Sequence, residues 1–66
     1  KRTPEVNYML AILYSRTGDE AKAVECYVRA CRQNSSFEFR GILDPEISVL
    51  IKTYNLNQDE EEPIEY

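Results

Sequence analysis

A chain of 66 residues with no histidine, two cysteines and a net charge of −4 is one small domain at most, and a core of that size is marginal without cross-links or partners. The charge is uneven: Asp59, Glu60, Glu61, Glu62 and Glu65 carry the acidity, while residues 1–56 hold eight bases and seven acids, a balance of +1. A near-neutral body argues against nucleic-acid binding, which needs a concentrated basic face, and the missing histidine removes the commonest general base and metal ligand.

Thr3-Pro4-Glu5 is a helix start. Threonine can cap, proline suits the first helical position where no amide donor is needed, and an acid suits the positive end of the dipole. The helix is expected over about residues 4–16. Its apolar residues, Val6, Tyr8, Met9, Leu10, Ile12, Leu13 and Tyr14, spread over more than one stripe, so contact on more than one side is expected. The apolar run over residues 8–14 is far shorter than the ~20 residues of a membrane span, so neither a membrane span nor a signal peptide is expected. A first residue of lysine fits an excised or processed piece of something longer.

Thr17-Gly18-Asp19 ends this helix and caps a second, expected over about residues 20–32; so short a link forces the pair antiparallel. Ala23, Val24, Tyr27, Ala30 and Cys31 share one face of the second helix, with Glu20, Lys22, Glu25, Arg29 and Arg32 outward. Glu25 and Arg29 form an i,i+4 pair. Cys26 and Cys31 fall about 140° apart around the axis, which disfavours an intrahelical disulfide and points to thiols in a reducing compartment. With no Cys-x-x-Cys and no histidine, no metal site is expected.

Gln33-Asn34-Ser35-Ser36 is a break, and Phe37-Glu38-Phe39-Arg40-Gly41 alternates apolar and polar. Too short for a lone strand, it reads as an ordered loop whose two rings anchor onto the helices. Asp44-Pro45-Glu46 repeats the cap-proline-acid start. Ile47, Leu50, Ile51 and Tyr54 follow at i, i+3, i+4 and i+7, predicting a third helix that ends at residues 55–57. Residues 57–66 form an acidic tail, expected to be disordered or extended. Pro4-Glu5-Val6 also recurs as Pro45-Glu46-Ile47, an echo that prompts comparison with helical repeats.

The central stretch resembles the tetratricopeptide repeat family. Leu10, Ala11 and Tyr14 stand in the places of its first helix, Gly18-Asp19 in its turn, and Ala23, Val24, Tyr27 and Ala30 in its second helix. The resemblance covers about residues 4–34. Two positions depart from it: Asn7 stands where the family favours a large aromatic, and Ser35 where it favours proline. The resemblance implies an all-α fold: a TPR-like antiparallel hairpin plus a third helix, capping or opening the next repeat, over residues 1–56. It also implies a partner-binding groove lined by Glu5, Tyr8, Met9, Ile12, Ser15 and Arg16. The lysine, asparagine and arginine of the family's carboxylate-clamping members are replaced there by Tyr8, Met9 and Ile12, so an apolar ligand face is expected. The other reading of Tyr8 and Ile12 packs them on a neighbouring repeat or on the segment through Phe37 and Phe39.

The expected function is a protein-protein interaction scaffold or adaptor module of a larger assembly, without cofactor, metal or catalytic residues. One alternative is a dedicated chaperone or co-chaperone holding an amphipathic client segment; a nucleic-acid-binding helical module is disfavoured by the charge balance. The partner is expected to be a protein, a peptide or adjacent repeats of the same solenoid, in the cytoplasm or nucleus. Repeats of this kind cannot bury their faces alone, so a homo-oligomer or a partner-bound form is expected.

Overall fold

The computed structural model describes residues 2–56. Among these the chain forms four helices and no strand: α1 (Pro4–Thr17), α2 (Glu20–Gln33), α3 (Phe37–Leu43) and α4 (Pro45–Tyr54). The fold class is all-α. The acidic tail lies outside the described residues.

The start and stop residues of α1 behave as their chemistry dictates. The Thr3 hydroxyl accepts the Val6 N–H at 3.2 Å, with Pro4 in the first turn. At the other end Gly18 takes the left-handed conformation, φ 90°, open to glycine at no steric cost. There the Asp19 N–H reaches the Tyr14 carbonyl at 2.9 Å and the Gly18 N–H that of Ser15 at 3.3 Å, the paired bonds of a Schellman stop. Asp19 then caps α2 by accepting the Lys22 N–H at 3.3 Å.

The turn folds α2 back along α1, the most extensive helix pair among the described residues. Ala11 of α1 and Ala23 and Ala30 of α2 are fully buried, since small side chains let the two helices approach. Cys26 is buried as well, whereas Val24 and Cys31 are half-buried. The open end of the hairpin is tied by amides: Asn7 Nδ2 donates to Gln33 Oε1 at 2.7 Å, and Gln33 Nε2 donates to the Arg2 carbonyl at 3.0 Å.

Residues 37–43 correct the expectation of a loop: they form α3. Phe37 and Gly41 lie one turn apart and both are buried, while Phe39 points to solvent, 72 % exposed. One ring of the two therefore anchors the segment, and the helical period of the buried pair overrides the apparent alternation. Gly41 lies so close to α2 that a Cβ there would meet the Tyr27 ring and hydroxyl at 2.8 Å. Glycine at this place lets α3 sit against Tyr27.

Asp44 caps α4 with one carboxylate oxygen, accepting the Glu46 and Ile47 N–H groups at 2.9 and 3.2 Å. The helix ends at Asn55, left-handed at φ 53°, with the Leu56 N–H on the Ile51 carbonyl at 3.0 Å. So α1 and α4 are built alike: cap, proline and acid at the start, left-handed residue at the stop. Ile47 and Leu50 of α4 are buried with Tyr27 at the centre of the core, Ile51 and Leu56 pack beside them, and Tyr54 is partly exposed. No helix among the described residues is long and apolar enough to cross a membrane.

Candidate interaction surface

The six residues expected to line a partner groove divide into two groups. Tyr8 leaves the partner face altogether. It is 4 % exposed, with its ring 5.3 Å from that of Phe37 and 6.3 Å from that of Tyr27. Its hydroxyl donates to Asp44 Oδ2 at 3.2 Å. The Arg40 guanidinium lies 5.3 Å from the Tyr8 ring centre and 5.1 Å from that of Phe37. Burial, followed by the adjacent Asp44 charge, pushes the Tyr8 phenol up to about 12, because both disfavour the phenolate. Ile12 and Ser15, on the same side of α1, are half-buried. The expected concave front is thus covered by the chain's own α3–α4 pair.

Glu5, Met9 and Arg16 remain exposed. Arg16 Nε donates to Glu46 Oε2 at 2.8 Å across to α4, a surface pair of small worth. Burial of one side of α1 leaves its opposite side bare, where Met9 is joined by Val6 and Leu13, respectively 61, 43 and 53 % exposed. Their i, i+3, i+7 spacing forms a stripe down the helix. The sequence reading singled out Met9 and missed Val6 and Leu13, although the spacing was visible. It was hidden among the core residues of a helix apolar on nearly every side.

A second apolar surface was missed entirely. Phe39, Ile42 and Leu43, at i, i+3 and i+4 of α3, are 72, 54 and 81 % exposed. Their grouping exists only once residues 37–43 are helical. Together they make one bare apolar face on a seven-residue helix.

A cleft of about 590 Å³ lies at the open end of the hairpin, lined by Arg2, Asn7, Arg29, Arg32 and Gln33. Arg29 is held by Glu25 at 2.9 Å. Asn7 Oδ1 is buried here with no hydrogen-bond partner, at a typical cost of about 1–3 kcal/mol. It is sealed from the surface, so the cleft offers arginines to solvent but not this acceptor. Cys26 and Cys31 are both free thiols, and burial pushes the Cys31 thiol up, partly opposed by a hydrogen bond with Tyr27. That favours the unreactive protonated form. Compared with known protein families, curated proteins and solved structures, the chain has no match.

Proposed function

We propose that this chain is a protein-protein interaction module of the tetratricopeptide-repeat kind, acting as a scaffold or adaptor and not as an enzyme. The observation that carries the reading is the pair of bare apolar stripes, Val6-Met9-Leu13 on α1 and Phe39-Ile42-Leu43 on α3. In water such stripes are a liability, and a protein partner removes them from it. The hairpin supports the repeat-like part of the reading. Its alanines and Tyr27 are buried at the seam, and its turn is a left-handed glycine followed by a capping aspartate. The partner surface differs from the groove first expected, because Tyr8 and Ile12 serve the chain's own packing. Two unpaired thiols suit the cytoplasm or nucleus.

A photo-crosslinking side chain placed in turn at Met9, at Leu43 and at the exposed Thr53 tests this in the cells the protein comes from. Discrete adducts from the first two positions and none from Thr53 are expected. Equal labelling at all three, or none at Met9 and Leu43, overturns the reading.

A further inference from the structure

We infer that the outer stripe of α1 pairs with the same stripe of a second copy of this chain, the two helices running antiparallel. The inference rests on the reading of that stripe as a docking surface and names its occupant.

The charges beside the stripe decide orientation. Glu5 and Arg16 are eleven residues apart, which at about 100° per residue returns them to within about 20° of one another around the axis. They therefore lie on one line, on the Met9 side of the stripe, about 16 Å apart along the helix. Glu5 has no ion-pair partner among the described residues, and Arg16 uses only its Nε toward Glu46, which leaves its terminal guanidinium nitrogens to donate elsewhere.

A two-fold axis midway between Glu5 and Arg16 sets each Glu5 level with the partner copy's Arg16, on the same flank. It also interleaves Met9 and Leu13 of one copy with Leu13 and Met9 of the other. Parallel pairing would instead put the two charged lines on opposite flanks, where neither Glu5 nor Arg16 meets its opposite charge. A two-fold contact repeats each of its pairs, and a line with an acid at one end and a base at the other pairs both of its charges across the contact in the antiparallel arrangement. Charges placed so fix register and suppress the wrong arrangement. Three turns of one helix make a small interface, so the pairing is weak and shows at high concentration.

Sedimentation equilibrium of the full chain up to roughly 1 mM, where weak pairs populate, tests this. The mean mass is expected to rise with concentration toward twice that of one chain. Glu5→Arg and Arg16→Glu each place like charges face to face twice per dimer and should weaken pairing by about tenfold. An equimolar mixture of the two variants restores opposite charges at both places and should recover most of the wild-type association. The same two charges also complement the α1 dipole, but a dipole role predicts no recovery on mixing. Met9→Asp, which removes the stripe and not the charges, should abolish pairing while circular dichroism keeps its helical signal. A wild-type mass that stays monomeric throughout, or a mixture no stronger than its components, overturns the inference. A monomeric chain that still crosslinks through Met9 to another protein overturns the pairing and leaves the docking surface standing; no dimer and no adducts overturn both.

Discussion

Tyr8 shows how one residue type leaves two readings open in a sequence, a ligand face or packing on the segment through Phe37, and how the fold chooses between them. Its type suits either a ligand face or a core wall, as an apolar body with a polar tip. The structure makes it a core wall whose tip is satisfied by Asp44. This has a pH consequence. The folded state favours the neutral phenol, so Tyr8 adds stability at every pH below its unfolded value near 10. That contribution is lost as the pH rises through about 12, amounting to about 2–3 kcal/mol by linkage. Urea midpoints of wild type and Tyr8→Phe, compared at pH 9 and in strong alkali, check it: wild type should lose this increment and the phenylalanine variant should not. Tyr54, also raised by its bond to Glu20, is common to both and drops out of the difference.

At the scale of elements, α1, α2 and α4 were legible because each carries its own punctuation. Thr3, Asp19 and Asp44 each accept a backbone N–H at the start of a helix, and Gly18 and Asn55 turn left-handed at the stops. Asp44 does more than the others, since its second oxygen accepts the Tyr8 hydroxyl and so joins α4 to α1. Asp44→Ala should therefore cost about 2–3 kcal/mol, a lost cap plus a buried hydroxyl left without its acceptor. Asp19→Ala, which removes a cap and an exposed pair with Lys22 of small worth, should cost about 1 kcal/mol. Chemical denaturation of the two variants checks the order; equal losses would mean the link to Tyr8 contributes nothing. The helix α3 was illegible for the converse reason. Ser36 makes no side-chain capping bond, the helix is seven residues long, and Gly41 within it costs roughly 1 kcal/mol of helix propensity. The local signal is confined to the turn before it, where the Asn34 side chain accepts the Ser36 N–H and hydroxyl; the helix itself forms because Phe37 and Gly41 fit against Tyr8 and Tyr27.

The described residues form a hairpin closed on one side by a second helix pair, and at Gly41 the second pair lies close against Tyr27 of α2. Gly41→Ala would gain helix propensity locally, yet its Cβ would press on Tyr27, a ring 1 % exposed with no room to swing. The tertiary term should win, giving a net loss of about 1–2 kcal/mol and a lower Tm by calorimetry. A raised Tm would show that the layers can part without cost.

By itself the sequence determined what each segment could decide alone: an all-α fold, three of the four helices among the described residues, their caps, and an alanine-lined hairpin seam. These follow from residues within one turn of each other, or from a turn too short to allow another arrangement. Only the tertiary structure decided which side of α1 faces water. A helix apolar on nearly every side carries no internal record of what covers it. Once α3 and α4 take the side of Tyr8 and Ile12, the side of Val6, Met9 and Leu13 is left bare, and Phe39, Ile42 and Leu43 join it as exposed surface.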